Sequence, residues 1–194
     1  MFSAFHLLHF VPARVLVPGL ALHSTGALLY QPFLTGPAAA APPAVGIQGG
    51  VDILDAHTGL VRLRIFLPEP LAALSTDIDA LHGSFLTVDE NGQRIFALTT
   101  SGLTIIHLAS VPLSIGTSSP ASAPATGGTT LTIRGSGFQS AATVTIGGKS
   151  AATRFVDMNT LTVTTPPLTA GTQQILITNP NGDSYTLDAA LTVN

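Results

Sequence analysis

The chain has 194 residues, 45% of them hydrophobic and only 9% charged, against about 25% charged in an ordinary globular protein. Seven Lys and Arg face ten Asp and Glu, for a formal net charge of −3, and the scattered bases form no stripe that could neutralise a run of phosphates, so nucleic acid is not an expected partner. There is no cysteine, hence no disulfide frame and no thiolate metal site, and no apolar run reaches the roughly 18 residues of a transmembrane helix.

The polar share is carried by Ser, Thr, Gly, Asn and Gln. That balance suits short strands and turns outside the cytoplasm; long helices would want Glu, Lys and Arg on their exposed faces. High apolar content with little net charge argues against disorder, and the length allows one or two domains. At the N-terminus "MFSAFHLLHFVPARVLVPGL" is apolar. It lacks a basic leading region and is interrupted by Pro12, Arg14 and Pro18, which makes a poor signal peptide.

Two segments of the N-terminal part then resemble each other. "TGALLYQPFL" (Thr25–Leu34) lies over "NGQRIFALTT" (Asn91–Thr100) at an offset of 66, Gly26 to Gly92. "GVDILDA" (Gly50–Ala56) lies over "GLTIIHL" (Gly102–Leu108) at an offset of 52, Gly50 to Gly102. The difference of 14 is the low-complexity insertion "TGPAAAAPPAVGIQ". Each copy reads as turn, strand, turn, strand, and the first continues through "DAHTG" into "LVRLRIFL" as a hairpin.

The wording "G-x-L-L-Y … G-V-D-I-L-D-x-x-T-G" resembles blades of bacterial β-propellers of the YVTN and NHL kind. That resemblance implies a partial propeller of about two four-stranded blades over residues 1–114. A propeller closes with about four to eight blades, so the expectation is the C-terminal end of a longer protein. The alternative is a small protein that pairs its open blade edges with another copy.

From Gly116 onward short strands are separated by turn residues. Candidates are Thr129–Gly135, Thr143–Ile146, Ala152–Val156, Thr160–Thr165, Gln173–Thr178 and Ser184–Val193. Most alternate, as Val144 with Ile146 and Ile175 with Ile177 do, which buries one face and wets the other. The stretch "LTIRGSGF" interrupts a strand with Gly135-Ser136-Gly137 and follows it with Phe138. Positive φ at the glycines lets the backbone leave the first sheet, and Phe138 drops into the core where the chain crosses.

"GGTTLTIRGSGF", "VTIGG", "TLTVTTPP" and "ILITNPNG" together are similar to the IPT/TIG family of immunoglobulin-like domains. The resemblance covers 115–194 and implies a β-sandwich. It leaves function open, because such modules serve receptor ectodomains, transcription factors, starch-acting enzymes and large bacterial surface proteins. The basic loops of the DNA-binding members are missing.

Chemistry is sparse. All six histidines precede Gly116, and none forms HExxH; structural roles are expected. The acids Asp52/Asp55, Asp77/Asp79 and Asp89/Glu90 read as turn and cap residues, with Asp77 and Asp79 the one calcium candidate. No Ser sits in GxSxG, and neither GxxxxGK[ST] nor GxGxxG occurs. No catalytic residue and no cofactor are therefore expected.

The whole chain reads as all-β: propeller-like repeats, then a sandwich. Its expected role is a non-enzymatic binding or spacer segment of a bacterial surface or secreted protein, extracellular, with an unidentified protein or carbohydrate partner. The expected contact residues are Ser136, Gln139, Lys149, Asn181 and Asp183, on loops that a rigid scaffold carries at little cost in stability. One competing reading is a propeller enzyme, lactonase- or lyase-like, with its site in other blades. The other is a carbohydrate-binding module, disfavoured by the absence of Trp and by having Tyr30 and Tyr185 as its only tyrosines.

Overall fold

In a computed structural model, residues 20–35, 48–69, 71–72 and 86–194 are described. Every regular element among them is a β-strand. The Ala/Pro-rich insertion after Thr35 and the calcium candidates Asp77 and Asp79 lie outside the described residues.

The first four strands, β1 (Ala21–Leu22), β2 (Leu28–Thr35), β3 (Gln48–Asp55) and β4 (Val61–Phe66), form an antiparallel meander in that order. β5 (Leu86–Val88), β6 (Arg94–Thr99) and β7 (Gly102–His107) form a second one. The sequence repeat is a repeat of register as well. Tyr30 pairs with Ala21 and Ile53; its counterpart Phe96 pairs with Thr87 and Ile105. The turns also match, because Gly26 and Gly92 both sit at φ +74° and both close the same backbone hydrogen bond, to His23 and to Asp89.

Where the copies part, local chemistry explains it. Asp55 accepts from the Thr58 amide and hydroxyl, and Gly59 at φ +70° turns the chain back into β4. The corresponding positions in the second copy are His107, Ser110 and Val111, with neither cap nor glycine. The chain therefore runs on to the sandwich, and the second sheet has three described strands where the repeat leads one to expect four.

The sandwich holds β8 (Ser114–Ser119), β9 (Ser122–Ala123), β10 (Thr130–Ser136), β11 (Thr143–Ile146), β12 (Lys149–Asp157), β13 (Thr160–Thr164), β14 (Gly171–Thr178) and β15 (Ser184–Val193). β11 and β15 have the bounds read from the sequence. β12 starts earlier than Ala152, and that extension shapes the domain. Its first three residues pair with β11 and the rest with β13, so one strand turns the corner between layers. The result is one nearly closed eight-stranded sheet, ordered β8-β10-β13-β12-β11-β14-β15-β9, in place of two separate sheets. The Ser118 hydroxyl donates to the Ala190 carbonyl across the closing seam. β9 runs parallel to the end of β15, with Val193 opposite Ala123.

The interior of that barrel is apolar and continuous. Leu131, Ile133, Val144, Ile146, Leu161, Val163, Ile175 and Ile177 are buried with Phe138, as alternation predicts. The Gly135-Ser136-Gly137 break works in two ways rather than one. Gly137 takes the positive φ, +68°. Gly135 stays in β10 and is needed for space, since a Cβ there would strike the Ser114 carbonyl and the Phe138 ring.

The sandwich is docked on both meander sheets. The Thr25 hydroxyl donates to the Gly135 carbonyl, the Arg62 guanidinium to the Leu113 carbonyl, and His57 Nε2 to the Gly116 carbonyl. Asn159 Nδ2 donates to the Glu90 carbonyl and to Asn91 Oδ1. Val111 and Met158 extend the core that the two sheets share.

Candidate binding surfaces

The residues read from the sequence as contact loops divide between the two ends of the sandwich. Asn179 gathers most of them at the docked end. Its Oδ1 accepts from the Gln139 amide, its Nδ2 donates to the Gly137 carbonyl, and its own amide donates to the Asp183 carbonyl. Asn181 and Asp183 are exposed there and bonded to each other, Nδ2 to Oδ2 at 2.8 Å. Gln139 is half-buried. Ser136 is fully buried, its hydroxyl donating to the Pro112 carbonyl, so its polar group is consumed by the fold.

Lys149 stands at the opposite, free end, exposed, with Nζ on the Pro167 carbonyl at 2.7 Å. Beside it is a shallow groove of about 510 Å³, lined by Gly147, Gly148, Thr172, Gln173, Gln174, Asp188 and Ala189. Gly147 favours glycine, because its φ is +54° and a Cβ would push the Gln173 side-chain amide aside. The far wall is an irregularity in β15. Gln173 pairs with Leu191 but Ile175 pairs with Leu187, so Asp188, Ala189 and Ala190 stand opposite Gln174 alone. Ala189 takes φ +49° to do so. The groove offers amides, a hydroxyl and one carboxylate.

Sequence reading missed this wall. No local pattern announced it: Ala189, between Leu187 and Leu191, is itself apolar, so period-two alternation reads straight through the irregularity.

Three titratable groups that depart from ordinary behaviour, His23, Asp55 and Tyr185, lie at the junction instead. Asp55 is buried at 0% exposure. Burial alone would raise its pKa, but hydrogen bonds from Thr58, Ser114 and Tyr185 outweigh that and hold it below the usual carboxylate range. Its partner Tyr185 is pushed up to about 12, by burial first and then by the carboxylate it serves. Arg62 lies 5.5 Å over the Tyr185 ring. His23 is lowered by burial, against the opposing pull of the Asn91 carbonyl and Asp89. Asp52 is held by Arg64 through two contacts of 2.6 and 2.8 Å. These acids serve turns, ion pairs and the domain junction. Among the described residues no three His, Cys, Asp or Glu side chains are placed to hold a metal ion, and no helix is long and apolar enough to cross a membrane.

Neither tyrosine offers a stacking platform, since both Tyr30 and Tyr185 are buried. Among the described residues the exposed aromatics are Phe66, packed edge-on to Phe33 at 5.5 Å, and Phe155.

Comparison with known proteins adds the following. The family model for the IPT/TIG domain matches residues 113–193. No curated protein matches the chain. An auxiliary nutrient binding protein from Bacteroides ovatus is 20% identical over 43% of this chain and 21% of its own, with a TM-score of 0.35. Gamma-CGTase from alkalophilic Bacillus clarkii is 20% identical over 87% of this chain and 24% of its own, with a TM-score of 0.42. The SGBP-B of a Bacteroides ovatus mixed-linkage glucan utilization locus, in complex with a heptasaccharide, is 11% identical over all of this chain and 69% of its own, with a TM-score of 0.38.

Proposed function

Residues 113–193 are an IPT/TIG domain, and from that premise we propose that the chain is a non-enzymatic binding or spacer segment of a bacterial surface or secreted protein. The observation that carries this reading is the polarity of the sandwich's two ends. One end is fastened to the meander sheets through Gly135, Asn159 and Ser114, and the other presents the Gly147–Lys149 turn and its groove to solvent. A rigid body with one end fixed and one end open suits presentation of loops at a distance. The shared register of the two sheets supports reading them as successive propeller-type blades that serve as the base.

A second reading, glycan binding at the free end, is favoured by the groove. Gln173, Gln174, Thr172 and Asp188 offer donors and acceptors of the kind sugar hydroxyls accept, without an aromatic floor. Electrophoresis of the full chain through gels containing mixed-linkage glucan, xyloglucan or starch tests both readings. Retardation that is lost in the Asp188→Ala variant establishes the glycan site. Retardation that survives Asp188→Ala puts the sugar elsewhere and removes the groove from the argument. Unretarded migration in all three gels leaves the spacer or protein-binding reading. An enzymatic role would instead show as turnover of a lactone or uronide substrate by the chain, which is not expected.

A further inference from the structure

The two meander sheets share one plan but bury opposite faces of it. The four-stranded sheet turns Leu28, Tyr30, Val51 and Ile53 inward. Their counterparts in the three-stranded sheet are Arg94, Phe96, Leu103 and Ile105, which lie on its outer face, with Leu103 65% and Ile105 46% exposed. Conversely, the three-stranded sheet buries Ile95 and turns Ile106 to the same core. Their counterparts Leu29 and Leu54 lie on the outer face of the four-stranded sheet, beside Leu22 at 57% and Val61 at 45% exposure.

The packing inside the chain is thus a face of one kind against a face of the other kind, and one unused face of each kind remains. We propose that the chain associates head to tail with a second copy of itself. The outer face of its three-stranded sheet (Phe96, Leu98, Leu103, Ile105) stacks on the outer face of the partner's four-stranded sheet. The molecule already contains one example of that contact, which is why the occupant is a second copy rather than an unrelated protein. Two further features fit. Contiguous exposed apolar side chains on sheet faces mark interaction surfaces. Among the described residues β7 also has no strand on its outer edge, and its register counterpart β3 is covered there by β4. The contact is heterologous, so each copy uses two different patches and a dimer leaves one of each free for further growth. It does not depend on what the sandwich binds.

Sedimentation velocity of the full chain, across a wide concentration range, tests this with two variants at exposed positions. Leu103→Glu spoils one patch and Leu22→Glu the other. The wild type is expected to associate with concentration, and each variant to weaken that association by about tenfold or more, the effect of burying one uncompensated charge. An equimolar mixture of the two variants is expected to form a heterodimer that stops at two chains, because each supplies the patch the other lacks. A wild type that stays monomeric throughout overturns the proposal. So does a Leu22→Glu variant that associates like the wild type, which is the mark of a symmetric contact. So does a mixture that yields no heterodimer. Far-UV circular dichroism checks that both variants are folded, and Ile105→Lys replaces Leu103→Glu should that one fail.

Discussion

At the scale of single residues, the two tyrosines make opposite predictions from the same composition. Tyr30 is fully buried and its hydroxyl has no protein partner, so its ring holds the core together while its oxygen adds nothing. Tyr30→Phe is expected to change stability by less than about 1 kcal/mol, because a buried hydroxyl without a bond costs free energy rather than contributing it. Tyr185 instead helps hold the Asp55 carboxylate ionised, and Tyr185→Phe is expected to lose about 1 kcal/mol, as removal of a polar neighbour from a charged group does. Urea unfolding of the two variants side by side decides it. Asp55→Ala should cost more, on the order of 3 kcal/mol, because several donors lose a shared buried acceptor at once.

His23 predicts a pH dependence. It is 1% exposed, and burial lowers its pKa from the ordinary 6.5. The unfolded chain then binds the proton first as pH falls, so the folded state loses stability progressively below about pH 6.5, down to the folded value. The Tm should fall between pH 7.5 and 5.5 in the wild type, and that slope should flatten in His23→Gln. An equal slope in both chains would assign it elsewhere. The sign for Asp55 is the same but the window is lower: its contribution is whole above the ordinary carboxylate value of 3.8 and disappears as acid takes the pH through the lowered one.

At the scale of elements, the Gly-Ser-Gly break shows what one letter can mean in two settings. Gly137→Ala places a side chain in the left-handed region, against the Val111 carbonyl, and is expected to cost upwards of about 1–2 kcal/mol. Gly148, at φ +77° with open space around it, should cost only the conformational part when changed to Ala. Chemical denaturation of both variants separates strain from collision. Alternation in Thr143–Ile146 and Ser184–Val193 made those strands legible because one of their faces is apolar and the other polar. β8 was harder to see. "SIGTSS" carries no alternation, and its place is fixed by pairing with β10 and by Ser114, whose hydroxyl donates to Asp55 of another sheet. Contacts of that range leave no local pattern. The groove wall at Asp188–Ala190 was missed for a related reason, since an irregularity of register is a property of two strands and only one is read at a time. Ser136 carried the opposite lesson: a serine between glycines reads as a surface loop, and only the fold brings the Pro112 carbonyl to it.

At the scale of the whole molecule, the junction is the feature that composition could not suggest. Thr25, Asp55, His57 and Arg62 reach the sandwich from one sheet, and Glu90 and Asn91 from the other. A boundary crossed by that many hydrogen bonds and by the side chains of Val111 and Met158 should unfold with its neighbours. Calorimetry of the wild type is expected to show one transition, and the double variant Thr25→Val, Asn159→Ala two, as the sandwich outlasts the sheets it has been released from. A single unshifted transition in the double variant would place the coupling in the apolar contacts.

The parallel pairing of β9 with the end of β15 has a mechanical side. Pulling on Asn194 while the sheets anchor the other end draws β15 along its own direction and β9 the opposite way. The amides of Thr192 and Asn194, bonded to the carbonyls of Ala121 and Ala123, and the amide of Ala125, bonded to the carbonyl of Asn194, lie across that pull. They are loaded together in shear and must rupture as a group, whereas an antiparallel hairpin pulled at its open end would unzip one bond at a time. The last strand of this chain is a latch, and a tether fixed to it would bear load before the domain yields.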